Sequence, residues 1–383
     1  VDVVCVGEGE YAIRDLCLAV NEKRDFSGIA GLVWKDKDRA IVTNKESRLI
    51  PANDLDLLGM PSWHLIDHTK FHSTLEGGIQ GTRAIGLKST RGCPYACSFC
   101  ENVGLGQRKV RKRTPKLFVD EVEFLMKEYG YNAFDFWDDT FTVMPQHAYE
   151  ICDEIIRRKL DIRWYARTTI FQPYRDRNLF KRMRESGCVA LGAGVESGNF
   201  EIQRKIHAEG KNVSCEVIKE TVTYASSLGI RVKCFFIWGH PGETPKTLKD
   251  TLNFMDDLRH INPLISADSA IMRIYPGTEL ELIAKKNGSI PADFSWTRYQ
   301  EFPNSRMFCV DKTLPFFEDQ MTIEQIKAIL SQHSMQYMTP VRRAQRISRA
   351  AWKYAKRMRT KEDLAHVGQL VRNYFVKPPV ALA

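Results

Sequence analysis

From about residue 84 the apolar positions fall into two alternating rhythms. Short β-branched or aromatic runs bounded by turn residues read as strands: "AIGLKST" (84–90), "NAFDFWD" (132–138), "IRWYART" (162–168), "VALGAGVES" (189–197), "RVKCFFIWG" (231–239) and "ADSAIMRIYP" (267–276). Between them apolar residues recur at i, i+3, i+4 and i+7, the period of a helix with one buried face. "PKLFVDEVEFLMKEYG" (115–130) opens on Pro and closes on Gly, each at its preferred helix end. The segments 145–159, 175–187, 214–229 and 244–260 follow the same grammar. Strand–helix–strand units of this length imply right-handed crossovers and a parallel sheet. Six units are fewer than the eight of a closed barrel. The pattern therefore predicts an α/β core over residues 84–290, either a doubly wound sheet or a partial (β/α)6 TIM-like barrel. In both, ligands gather at the carboxyl ends of the strands.

The flanks read differently. Residues 1–50 combine "VDVVCVGEGEYAIRDLCLAV", a buried strand, a turn and a helix, with a hairpin at 31–44. They look like the closing part of an α/β domain. Residues 51–83 read as a linker, and "IPANDLDLLGMPSW" (50–63) at its start is Pro-punctuated. In the last region, residues 291–383, Trp296, Tyr299, Phe302, Phe308, Phe316 and Phe317 suggest a cover packed on the barrel, followed by a helical tail. The chain opens without Met, which fits an N-terminally truncated protein.

Composition narrows the class. A hydrophobic share of 43% and a charged share of 27% suit a globular protein, and the longest apolar runs are far short of a membrane span. The net charge of +9 has one address: residues 341–383 hold eleven Lys/Arg against Glu362 and Asp363, so the rest of the chain balances to zero. Such a tail suits RNA, anionic lipid or a partner, and more plainly a solvated helix face. Ten cysteines are too few for a disulfide scaffold, and seven are scattered singly, which points to a reducing, cytoplasmic setting.

The other three stand together. "STRGCPYACSFCEN" (89–102) places Cys93, Cys97 and Cys100 in a C-x₃-C-x₂-C array just after the first strand of the core. Clustered thiolates bind a soft metal centre, zinc or iron–sulfur. Structural zinc normally takes four ligands, often as two separated pairs, and no second C-x₂-C exists here. Three thiolates on a 4Fe–4S cluster leave one iron open, a position where a small molecule can bind.

C-x₃-C-x-aromatic-C after the first strand of a βα repeat, with Phe99 at the aromatic position, resembles the signature of radical SAM enzymes. The resemblance covers roughly residues 84–286 and rests on further motifs in the same order. It implies that S-adenosylmethionine chelates the open iron, that an electron from the cluster cleaves the sulfonium, and that the resulting 5′-deoxyadenosyl radical abstracts hydrogen. It also implies an external electron donor of flavodoxin or ferredoxin type. Asp138 and Asp139 in "FWDDTF" stand where the family contacts the SAM amino group; a helix N-cap pair is the plainer reading. Arg167 in "WYART" suits a carboxylate or a structural ion pair. Glu196 and Ser197 in "GAGVESG" resemble the ribose- or carboxylate-contacting position. Gly239 in "WGHPGET" and Pro276 in "YPGT" resemble segments bordering adenosine. The family often has an aliphatic residue where His240 stands.

The N-terminal region further resembles the tail of the cobalamin-binding domain that precedes the core in one subgroup, which includes oxidative cyclases and methylases. This implies cobalamin-dependent methylation or cyclisation of a small or lipid-like molecule, with cobalamin held by a longer polypeptide. A tRNA-modifying enzyme of methylthiotransferase type and a non-catalytic Fe–S or zinc protein are the alternatives, and nucleic acid is the lesser partner expectation.

Overall fold

The computed structural model describes residues 2–45, 49–70, 74, 75, 79, 82–102, 108–170, 175–206, 212–296 and 314–336. The basic tail, Tyr299, Phe302, Phe308 and Cys309 lie outside the described residues.

The first 45 residues build a small antiparallel sheet, β1 (Val3–Cys5), β2 (Leu32–Lys35) and β3 (Ile41–Thr43), with α1 (Glu10–Asn21) against it. The expected buried strand and separate hairpin are thus one sheet, because β1 pairs antiparallel with β2 through Val3–Trp34 and Cys5–Leu32. Nor is β1 buried on both faces. Ala12, Ala19, Ile29 and Leu32 form the packed side, whereas Val4 is 48% exposed.

The core follows. Its strands are β4 (Ala84–Leu87), β7 (Ala133–Phe136), β8 (Arg163–Thr168), β9 (Cys188–Glu196), β10 (Arg231–Trp238) and β11 (Ile265–Ile271); between β4 and β7 a short hairpin pairs β5 (Thr90–Arg91) with β6 (Arg111–Lys112). The parallel order β11-β10-β9-β8-β7-β4 decides between the two predicted architectures. Each new strand joins the same side of the sheet, with none of the order reversal that defines a doubly wound fold. The sheet is therefore a partial TIM-like barrel.

The crossover helices are α2 (Pro115–Tyr129), α3 (Pro145–Arg157), α4 (Arg177–Glu185), α5 (Phe200–Ile206), α6 (Cys215–Ser227) and α7 (Pro245–Ile261). Prolines open α2, α3 and α7, where the missing N–H would find no intrahelical acceptor anyway. Thr244 caps α7 in a reciprocal box with Thr247. Alternation sends Phe134, Phe136, Trp164, Ala166, Cys234 and Phe236 outward into the main hydrophobic core under the helices. The opposite positions, including Tyr165, Arg167, Gly192 and Lys233, face the concave side.

Beyond β11, α8 (Glu279–Asn287) and α9 (Ile323–Gln336) complete the described chain. Ile274 N donates to Pro315 O at 2.9 Å and Phe317 N to Met272 O at 3.1 Å, so the segment after 314 lies along the continuation of β11. Met272, Ile274, Leu280, Phe294 and Phe317 form a second core there, and Phe99 from the cysteine loop packs against it.

Candidate functional site

The cysteine loop is held at the carboxyl end of the barrel by the acidic pair. β4 ends at Leu87, earlier than its apolar run suggested, because the chain turns into the β5–β6 hairpin. Asp138 is fully buried. Its Oδ1 accepts from the Ser89 hydroxyl at 3.0 Å, from the Thr90 hydroxyl at 2.5 Å and from the Thr90 amide. Burial pushes the Asp138 carboxyl up, against these hydrogen bonds, which lower it. Asp139 accepts from Gly92 N at 2.9 Å and faces the Lys88 ammonium at 3.5 Å. Gly92 has φ +91, and a Cβ there would stand 2.1 Å from Lys109 O, so the turn into the loop requires glycine. The helix that follows is preceded by Met144, so the two acids pin the loop rather than cap a helix.

Inside the loop, Cys97 is buried and Cys93 and Cys100 are half-buried. None of the three is in a disulfide. A turn joins Cys100 N to Cys97 O at 3.0 Å, and Cys93 Sγ lies 3.9 Å from the Thr140 hydroxyl. Between Cys97 and Cys100 the backbone is clamped on both sides: Ser98 N donates to Ile206 O at 3.0 Å and Ser98 O accepts from Leu280 N at 2.9 Å. Ser98 Oγ is buried with no hydrogen-bond partner among the described residues.

Among the described residues no three His, Cys, Asp or Glu side chains stand close enough together to hold one metal ion. A single zinc draws its sulfurs to about 2.3 Å from one point. A 4Fe–4S cluster takes each thiolate on a different iron and also accepts hydrogen bonds on its sulfurs. Three thiols on a clamped loop, with a buried hydroxyl lacking a partner among the described residues between them, suit a cluster whose sulfurs accept hydrogen bonds.

The other predicted residues divide by where their side chains go. Glu196 ends β9 with φ +66, a left-handed conformation rare for a residue with a side chain, next to a register shift opposite Phe235 and Phe236. Its carbonyl lies 3.3 Å from His240 Nε2. Arg167 is exposed on the concave side, 5.9 Å over the Tyr165 ring, and forms no ion pair among the described residues. Gly239 has φ +87 and donates its N–H to Glu243 Oε2 at 2.6 Å. Phe99 stands 6.2 Å from the His240 ring. Ser197, by contrast, turns under α7: its hydroxyl lies 3.0 Å from that of Thr251 and accepts from Asn199 N. Pro276 is exposed at the start of the turn into α8.

Two buried groups had no signal in the sequence beyond their place in a motif. Burial pushes the Glu243 carboxyl up to about 7, against the Gly239 and His240 amides that donate to it, and Oε1 has no partner among the described residues. Burial likewise pushes His240 down to about 4, so its imidazole is neutral at ordinary pH. Its Nδ1 also lacks a partner among the described residues.

A parallel partial barrel carrying a three-cysteine loop on its carboxyl rim defines a class, and family comparison agrees with it. Residues 87–255 match the family described as the Radical SAM superfamily, in agreement with the resemblance that the cysteine motif carries. Among its relatives, an uncharacterised methyltransferase of Pyrococcus horikoshii is 29% identical over 299 residues, 78% of this chain and 61% of the relative. The anaerobic magnesium-protoporphyrin IX monomethyl ester cyclase of Cereibacter sphaeroides is 30% identical over 258 residues, 66% of this chain and 40% of that protein. The chain thus spans about half the length of the curated relatives it matches. In fold it is similar to the radical S-adenosylmethionine methyltransferase TsrM of Kitasatospora setae, solved with cobalamin and a 4Fe–4S cluster bound. The TM-score is 0.65 at 18% identity, covering 88% of this chain and 73% of that one.

Proposed function

We propose that this chain is the core of a cobalamin-dependent radical SAM enzyme that methylates or cyclises a small or lipid-like molecule. The observation that carries the reading is the loop holding Cys93, Cys97 and Cys100, fastened by Asp138 and Asp139 over the open concave face of the barrel. The three thiols would hold a 4Fe–4S cluster, which when bound supplies a low-potential electron to S-adenosylmethionine. The chain's own residues do the rest. Phe99 offers an apolar wall beside the cysteines, and the exposed guanidinium of Arg167 suits a carboxylate by its planar, doubly donating geometry. Glu196 is held at the rim in a conformation whose strain a binding role would explain. The second core, with Phe317 and Met272 buried, closes one flank against water.

Cobalamin enters from two directions. Methyltransferases and cyclases stand among the relatives, and one structural neighbour was solved with cobalamin bound. A cavity of about 750 Å³ also lies between the β1–α1 turn at Gly7, Glu8 and Glu10, the 55–63 segment and the start of the cysteine loop. No described helix is long and apolar enough to cross a membrane.

Anaerobic reconstitution with iron and sulfide, followed by reduction with S-adenosylmethionine present, tests the reading. Wild-type protein should show a 4Fe–4S spectrum and release 5′-deoxyadenosine, and Cys97→Ala should lower both to background. A protein that takes up zinc but no cluster, or a Cys97→Ala variant that still forms deoxyadenosine, would overturn it.

A further inference from the structure

Trp137 is a large apolar side chain left 54% exposed, directly between β7 and the buried Asp138. Its amide donates to Leu87 O at 2.6 Å, which fixes the backbone beneath it. The ring has a prepared seat. A Cβ added at Gly86 would stand 2.4 to 2.6 Å from Cε2, Cζ2 and Cδ2 of the indole, so the ring rests directly on the strand where glycine has no side chain. No other residue type at 86 would leave the ring there.

The exposed side of the indole lines the cavity of about 750 Å³ described above. Leu58, Met60 and Leu87 add apolar wall. The rim is charged but largely self-neutralised. Glu8 accepts from Arg111 at 2.6 Å and from Arg91 at 3.1 Å, Glu10 accepts from Arg91 at 2.5 Å, and Lys88 faces Asp139 at 3.5 Å. A polyanion would find no unopposed run of cations on that rim, and a polycation no unopposed run of acids. A large ligand with a flat apolar face and an uncharged, hydrogen-bonding edge matches both the ring and the rim.

We infer that Trp137, seated on Gly86, is the wall against which a flat, amide-fringed macrocycle of the corrin class lies. This rests on the cobalamin reading above and assigns one contact surface within it. The indole acts by position: it sets how deep and at what tilt the macrocycle sits beside the cysteine loop.

Titrating the full-length protein with hydroxocobalamin tests it, with bound cobalamin read by equilibrium dialysis and indole proximity by quenching of tryptophan emission. Wild-type protein should retain cobalamin and show quenching. Trp137→Ala should weaken retention at least tenfold, and Trp137→Phe, which keeps a smaller flat ring, by less. Gly86→Ala keeps the indole but unseats it and should also weaken retention. Should Gly86→Ala fail to fold, the Trp137 variants decide alone, since that side chain is half exposed. Retention by Trp137→Ala equal to wild type would overturn the inference and leave the cobalamin reading standing. Failure of the wild-type protein to retain cobalamin would remove the reading itself, and the inference with it.

Discussion

The two ends of the barrel treat buried polar groups in opposite ways. At the amino end, His68 is buried with both ring nitrogens engaged: Nδ1 lies 2.9 Å from Tyr131 OH and Nε2 2.7 Å from Trp63 O. Its ring stacks on Tyr129 at 3.8 Å, while Arg83 donates to the His68 and Tyr129 carbonyls and lies over Tyr131. At the carboxyl end, Ser98 Oγ, Asp138 Oδ2, His240 Nδ1 and Glu243 Oε1 are buried with no hydrogen-bond partner among the described residues. Glu196 adds backbone strain there. A buried polar atom without a partner lowers stability by about 1–3 kcal/mol. A fold tolerates several at one end only where something else constrains that end. The amino end therefore satisfies its buried polar groups from within the chain, and the carboxyl end does so less completely among the described residues.

Substitutions can break this contrast. The largest expected effect is at the amino end. His68→Ala would strip partners from Tyr131 and Trp63 and remove the stack on Tyr129, lowering stability by about 2–4 kcal/mol in urea titration. Iron bound per folded molecule should not change; a loss of iron would show that the ends are coupled. Asp138→Ala should do the reverse in emphasis. It lowers stability by about 1–3 kcal/mol, because Ser89 and Thr90 lose their acceptor, and it at least halves the iron bound after reconstitution. Full iron content would mean that the acidic pair does not hold the loop.

A smaller effect of opposite sign is expected at Glu196. Glu196→Gly relaxes the φ +66 backbone and should stabilise the protein by about 1 kcal/mol, while S-adenosylmethionine binding, read by calorimetry, weakens. Unchanged binding would make the strain purely structural. The last expectation is a pH trend rather than the effect of one substitution. The folded state holds the Glu243 proton up to about 7, whereas the unfolded chain releases it near 4.5. More protons are bound when folded in that window, so this group's contribution to stability is present below 4.5 and is lost as pH rises through about 7. Urea midpoints measured across that range should fall less with rising pH in Glu243→Gln than in wild type.

Much of the fold could be read from the chain because the information was local. Period-2 and period-3.6 patterning placed five strands close to their observed ends and ran past the sixth, which stops at Ile271 rather than at 276, and prolines at helix starts marked three of the crossovers. The motif spacing put the three cysteines on a loop after the first core strand, and that is where they are. Ser197 shows the limit. In a strand ending "VES" nothing local says which neighbour faces the concave side, and a hydroxyl 54 residues away on α7 decides it. Asp138 shows another. An acid before a helix reads as a cap, until the β4 end folds back and presents Ser89 and Thr90 to it.

The sequence by itself determined the alternation of strands and helices, the three-cysteine loop and the glycines that its turns require. These depend on side-chain size, backbone freedom and spacing along a short stretch of chain. Only the tertiary structure decided that the sheet curls in one direction as a partial barrel, because strand order is a choice among non-local pairings that each strand's pattern permits equally. The same holds for the acidic pair that fastens the loop, the aromatic stack at the amino end and the indole resting on Gly86. Each brings together residues far apart in the chain, on or beside β4 and β7, whose contact exists only once those two strands have paired.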